Sequence, residues 1–187
     1  MSGYCRSAID HPWHEPYHND HYGFPIQEDD LLFERLILEI NQAGLSWLTI
    51  LKRQESFRAA YSGFVIAKVA KYGDKDRARL LEDAGIIRNR LKVHAAIENA
   101  KRIQALQKSH GSFHDWIAAS HPLPKADWVK LFKKTFVFTG GEIVGEFLMS
   151  IGYLPGAHAP DCPVFKKIKK LDPPWMQAER RGMTYPK

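Results

Sequence analysis

Two groups of residues in this chain carry chemistry at useful spacing. The first is built on its only two cysteines. Twelve residues separate Cys5 from His18, and His158-Ala159-Pro160-Asp161-Cys162 forms a tight His-x3-Cys pair. Thiolate and imidazole are the ligands zinc prefers in a closed tetrahedral site, and Pro160 predicts a turn that points the second pair at one ion. A competing reading is two buried thiols beside coincidental histidines, since the chain holds nine His. A disulfide is not expected in a reducing compartment between cysteines so far apart in sequence. Four protein ligands leave no open coordination position, so an ion here would be structural rather than catalytic.

The second group centres on Glu39. Leu38 and Ile40 flank it, and its helical stripe carries Leu36 and Ala43, so it is predicted to face the interior. A buried carboxylate needs a partner or a purpose. Arg35, one helical turn away, is a natural ion-pair partner; a binding pocket is the alternative. Just downstream, Gln42-Ala43-Gly44-Leu45-Ser46-Trp47 places a large aromatic at the start of the next helix, where Trp47 reads equally as core. Around His18 stand Trp13, His14, Tyr17 and Tyr22, so a metal-ordered N-terminal segment is expected to set an aromatic wall opposite Glu39. Aromatic faces and a carboxylate together suit a flat, cationic guest.

The elements that must position these groups are predicted to be helices. From Glu28 onward Leu32, Leu36, Glu39 and Ala43 recur at spacings of three and four, with Gly44 placed to stop the helix and Ser46 to cap the next. Leu80 to Ile87 reads as a short helix ending at Gly85, and Arg88 to Ser109 as a long amphipathic one. Further helices are expected over Ser112–Ala119, Asp127–Lys134 and Glu142–Ile151, broken by Pro122-Leu123-Pro124 and Thr139-Gly140-Gly141. Nothing alternates like a strand, so the fold class is all-α. One unit over 1–187 is expected, with a helical core over 28–151. The ends, 1–27 and 152–187, are rich in Pro, Gly, His, Tyr and Trp and show little helical periodicity.

Composition sets the outer bounds. A hydrophobic content of 44% with 26% charged residues is ordinary for a globular protein, and no stretch reaches the length of a membrane span. Met1 to Arg6 lacks the apolar run of a secretion signal, which predicts a cytosolic or nuclear protein. The net charge of +6 favours polyanionic partners. A monomer is the expectation in the absence of any oligomerisation signal.

Cys5, Pro12, Tyr17-His18-Asn19-Asp20, Tyr22-Gly23, Leu38-Glu39, the Gln42 to Trp47 block and Asp83-Ala84-Gly85-Ile86-Ile87-Arg88 resemble the 3-methyladenine DNA glycosylase I family, constitutive bacterial enzymes of alkylation repair. The likeness continues at Phe138-Thr139-Gly140, Phe147-Leu148-Met149 and His158-x3-Cys162, and so spans nearly the whole chain. It implies an all-helical fold of the helix-hairpin-helix glycosylase superfamily, in the bacterial cytosol and nucleoid. It also implies one structural zinc ion on Cys5, His18, His158 and Cys162, joining the termini. Glu39 becomes the acid that hydrogen-bonds an extruded adenine, with Trp47 and Tyr17 stacking on its faces and His14 and Tyr22 completing the wall. Thr139-Gly140-Gly141 becomes the hairpin whose backbone N–H groups meet a phosphate of double-stranded DNA, with Lys133 and Lys134 adding cationic attraction. The implied activity is monofunctional excision of alkylated purines, 3-methyladenine first, in base excision repair.

The chain departs from that pattern. Ser7 and Tyr22 replace two expected Trp, and His14 an expected Tyr. The hairpin helix carries Gly141, Glu142, Gly145 and Glu146 where polar and aromatic residues are usual, and Lys134-Thr135 replaces an Arg-Gly pair. These changes keep two other readings open: a glycosylase of the same fold with another lesion preference, and a zinc-stapled DNA-binding module that has lost catalysis.

Overall fold

The computed structural model describes residues 3–185. Among the described residues all regular structure is helical. Two short helices, α1 (Gly3–Ala8) and α2 (His14–Asp20), precede the central α3 (Asp29–Gln42). Then come α4 (Trp47–Leu51), α5 (Gln54–Ala60), α6 (Ile66–Val69), α7 (Asp74–Glu82) and the long α8 (Arg90–His110). The chain continues through α9 (Phe113–Ser120), α10 (Lys125–Thr135) and α11 (Gly141–Ser150), and closes with α12 (Pro163–Leu171) and α13 (Pro174–Arg180).

Helix α3 is the axis of the fold. The sequence predicts one apolar stripe, but every residue from Leu32 to Asn41 is buried. A helix covered all round is a core helix rather than a surface one. Helices α4, α6, α8, α9 and α11 pack on it. Phe33, Leu36, Ile37 and Ile40 are fully buried within the cluster that also holds Phe113, Trp128, Phe132 and Phe147.

Most expected boundaries hold to within a few residues, because their caps are local. The Ser46 side chain accepts from Thr49 N at 3.2 Å, and the Ser112 hydroxyl accepts from Asp115 N at 2.8 Å. Asn89 caps α8 by accepting from the Leu91 and Lys92 amides. Helix α7 ends earlier than Gly85. Asp83 Oδ1 accepts from Gly85 N at 2.8 Å, a side-chain turn that offers the backbone an alternative to helix.

The ends are more regular than their composition predicts. Both contain short helices, α1 and α2 before α3, and α12 and α13 after α11. None is long enough to be stable alone, so tertiary contact must hold each of them. Gly23, at φ +83°, is where the two ends meet: an added Cβ there would come within 2.9 Å of Ala157 Cβ. The Gly23 amide donates to Ser150 O at 2.8 Å and the Trp175 amide to Gly152 O at 3.2 Å, fixing both ends to the end of α11 and the turn just after it.

Candidate functional site

The buried polar residues of α3 show what is special about Glu39. Glu34 accepts from Gln54 Nε2 and Arg58 Nε, each at 2.9 Å. Asn41 Nδ2 donates to Ile37 O at 2.8 Å. Arg35 Nη1 donates to the Tyr17 hydroxyl at 3.1 Å and to His21 O at 3.4 Å, with its guanidinium 5.0 Å from the centre of the Tyr17 ring. The Arg35–Glu39 ion pair allowed by the sequence does not form, because Arg35 is spent on Tyr17. Glu39, only 4% exposed, has no hydrogen-bond or ion-pair partner among the described residues. Burial pushes its carboxyl up to about 8; Arg35 draws it down and Glu146 raises it further.

Glu39 lines a cleft of about 720 Å³, within the size range of small-molecule sites. One wall comes from α1 and α2 with the segment after them: Tyr4, Tyr17 and Tyr22. A second is the end of α3 and its turn, Gln42-Ala43-Gly44, with Trp47 opening α4. The third is the start of α11, including Gly140, Gly141, Glu142 and Glu146. Lys92 Nζ braces the second wall by donating to Asn41 O at 2.8 Å and Ala43 O at 2.7 Å. It thereby satisfies carbonyls that the end of α3 leaves open.

The Tyr17 and Trp47 rings lie 5.0 Å apart at 55°. A base between their two faces needs two van der Waals gaps of about 3.5 Å each. In this arrangement the rings are therefore adjoining walls rather than opposite jaws. Tyr22 and Tyr4 continue the aromatic surface, with ring centres 5.4 Å apart and nearly perpendicular. Trp13 is exposed, and His14 is not part of the lining but touches the Tyr4 hydroxyl through Nδ1 at 3.3 Å. Sequence reasoning missed Tyr4. It stands on the same short helix as Ser7, which is exposed, so Tyr4 supplies the α1 aromatic that Ser7 lacks.

Helices α10 and α11 pack as a hairpin. Helix α8 holds the turn between them: Asn99 Nδ2 donates to Val137 O at 3.1 Å, Val137 N donates to Asn99 Oδ1 at 2.9 Å, and Arg102 Nη1 donates to Thr135 O at 3.0 Å. Gly140 caps α11 without a side chain, and Gly140 and Gly141 face the cleft. Lys133 and Lys134 are exposed on the last turn of α10. Thr139 is buried, and its hydroxyl has no hydrogen-bond partner among the described residues.

Behind the aromatic wall Cys5, His18, His158 and Cys162 are all buried, with ligand atoms within 4.8 Å of one another. Cys162 Sγ lies 3.7 Å from His18 Nε2 and 3.8 Å from His158 Nδ1, and Cys5 Sγ lies 4.0 Å from His158 Nδ1. A tetrahedral ion with ordinary Zn–S and Zn–N bonds needs S···N edges of about 3.5 Å. The rings are set for it. His18 Nδ1 donates to Asn19 Oδ1 at 2.7 Å and His158 Nε2 donates to Tyr22 O at 2.7 Å, so the nitrogen that faces the sulfurs carries the lone pair in each case. This Cys2His2 group can hold a metal ion.

An all-helical scaffold holding an aromatic cleft, with a partnerless acid in its wall and a helical hairpin at its rim, defines a protein shaped for a flat, positively charged ring. The methyladenine glycosylase family model matches residues 7–127. DNA-3-methyladenine glycosylase of Haemophilus influenzae is 35% identical, with 79% of this chain and 89% of that protein covered. DNA-3-methyladenine glycosylase 1 of Escherichia coli is 33% identical over 84% of this chain and 94% of that protein. A solved structure of 3-methyladenine DNA glycosylase I from Staphylococcus aureus, described for its recognition of 3-methyladenine, superposes with a TM-score of 0.77 at 30% identity, covering 86% of this chain and 95% of that one. The chain belongs to the 3-methyladenine DNA glycosylase I family.

Proposed function

We propose that this chain is a monofunctional glycosylase of the helix-hairpin-helix superfamily that releases 3-methyladenine from double-stranded DNA in base excision repair. The observation that carries the reading is Glu39, a buried acid with no hydrogen-bond or ion-pair partner among the described residues, in an aromatic cleft. Methylation at N3 gives the base a positive charge and weakens its pairing and stacking, which lowers the cost of extruding it. The same charge makes it a good leaving group. The bond from the base nitrogen to C1′ breaks with its electron pair going to the base, which departs neutral. Water adds to C1′ and releases its proton to solvent, leaving an abasic site. The cleft contributes binding: Tyr17, Trp47, Tyr22 and Tyr4 offer aromatic faces, and Glu39 ionises as the cation arrives beside it. The lining carries no lysine to act as a nucleophile toward the sugar, which favours hydrolysis without strand cleavage.

In this reading the open amides at Gly140 and Gly141 meet a phosphate, with Lys133 and Lys134 beside them and Thr139 shaping the turn. The Cys5, His18, His158 and Cys162 group holds one zinc ion. The fitting donor set and the lone pairs fixed by Asn19 and Tyr22 support this. With four protein ligands the ion is structural, keeping Tyr4, Tyr17 and Tyr22 in place. The test is to incubate the protein with methylated duplex DNA and identify released bases by mass spectrometry, beside Glu39→Gln. Release of 3-methyladenine is expected, with a fall of ~10-fold or more in the variant. No released base would refute the activity, and an unchanged rate with unchanged binding in the variant would refute the role given to Glu39.

A further inference from the structure

The C-terminal end of the chain carries most of its charge. Residues 163–187 hold seven Lys and Arg against two Asp and Glu, so this end supplies +5 of the net +6. Four of the cations stand on α12, and their pairing is uneven. Lys167 Nζ lies 3.5 Å from Asp20 Oδ1. Lys166, Lys169 and Lys170 are exposed and have no hydrogen-bond or ion-pair partner among the described residues. Asp172, the acid that follows the helix, is already closed by Arg180, whose Nη1 and Nη2 donate to its two oxygens at 2.7 and 2.6 Å. The lysines repel one another, and an anionic partner relieves that repulsion.

Beside these lysines lies a pocket of about 190 Å³. Phe165 and Ile168 of α12 form one side, Trp175 of α13 another, and Pro155, Ala157 and Pro160 much of the rest. No residue lines both this pocket and the cleft of Glu39. Its volume falls short of the ~300 Å³ at which small-molecule sites begin, so it has room for a single apolar side chain. Phe165 and Trp175 are half-buried, leaving ring surface open to an incoming group. Lys169 stands one helical turn after Phe165 on the same face, and Lys166 follows Phe165 directly, so cations border the apolar pocket.

Those two features together select the partner. A lipid surface would need the apolar face of α12, but Val164 and Ile168 are buried with Cys5, Cys162 and Met176 inside the chain. A DNA backbone would engage the lysines and leave the apolar pocket empty. A segment of Asp and Glu that carries one large apolar residue uses both, its carboxylates meeting the lysines and its apolar residue filling the pocket. We propose that α12 and the pocket against it form a docking site for a protein partner that presents an acidic segment with a single aromatic anchor.

The experiment follows, by fluorescence anisotropy, the binding of a short labelled peptide of Asp and Glu with one central Phe to the full chain. The wild type is expected to bind it, and Ala in place of the peptide's Phe is expected to weaken binding ~10-fold or more, the loss typical of a buried anchor. The triple variant Lys166→Glu, Lys169→Glu, Lys170→Glu is expected to lose the peptide by at least as much, with melting temperature and affinity for duplex DNA at wild-type levels. Failure of the wild type to bind overturns the proposal. Equal binding of the two peptides also overturns it, leaving only a solvated cationic face, and this comparison stands whatever the variant does. A triple variant that keeps the peptide has the same consequence. So does one that loses duplex DNA by ~10-fold or more, since the lysines would then belong to DNA.

Discussion

Replacing Glu39 by Gln should stabilise this protein, and by more as the pH rises. Burial is the main reason the carboxyl lies at about 8 instead of 4.5. Between those values the folded chain keeps a proton that the unfolded chain has lost. The unfolded state then binds fewer protons, so wild-type stability falls with rising pH. The contribution of the protonated acid is whole below about pH 4.5 and gone above about pH 8. At ~1.36 kcal/mol per pH unit, the loss is about 3 kcal/mol by pH 7 and about 5 kcal/mol above pH 8. Gln has nearly the same shape and does not titrate, and any constant cost of burying its amide cancels from the trend. Urea denaturation of both proteins, compared from about pH 5 to about pH 9, should show a stability difference that changes by about 1 kcal/mol per pH unit until it levels off. A difference that stays constant to within ~0.5 kcal/mol across that range would refute the reasoning, because Glu39 would then titrate alike in both states. The same variant is expected to lose base release, and a gain in stability at the expense of activity marks a residue kept for function.

Two further outcomes test the scaffold around the cleft. Metal analysis should find one zinc per chain; Cys162→Ser or stripping with a chelator should lower Tm by ~10 °C or more and diminish Tyr17-dependent base binding. A metal-free protein of unchanged Tm would remove the ion from the account. Lys92→Met removes both donors from the Asn41 and Ala43 carbonyls. It should cost about 2–3 kcal/mol in denaturant unfolding and lower kcat/KM by loosening the Gln42 to Gly44 wall; a variant equal to wild type in both would show that the end of α3 holds itself.

Much of the helical scaffold is legible along the chain because helices declare themselves over short range. The spacing of Leu32, Leu36 and Glu39 and the caps at Ser46 and Ser112 act within one or two turns. What sequence spacing leaves out is which faces are covered. A stripe on α3 cannot announce that other helices bury its far side, nor that Arg35 turns to Tyr17 instead of Glu39. The short α1, α2, α12 and α13 escape notice for a related reason, since their stability comes from partners distant in sequence.

The sequence by itself determined the chemistry available: two Cys-His pairs, an acid in an apolar run, an aromatic-rich N-terminal segment and a glycine turn before α11. These depend on residue type and close spacing. Tertiary structure alone decided which groups share a cleft. It placed Tyr4 in the wall and His14 behind it, and it set Tyr17 and Trp47 as neighbours rather than jaws. It also brought Glu146 from a distant helix to face Tyr22 across the cavity of Glu39. Burial and the charges of neighbours, and with them the proton held by Glu39, are properties of that three-dimensional packing, which no local pattern encodes.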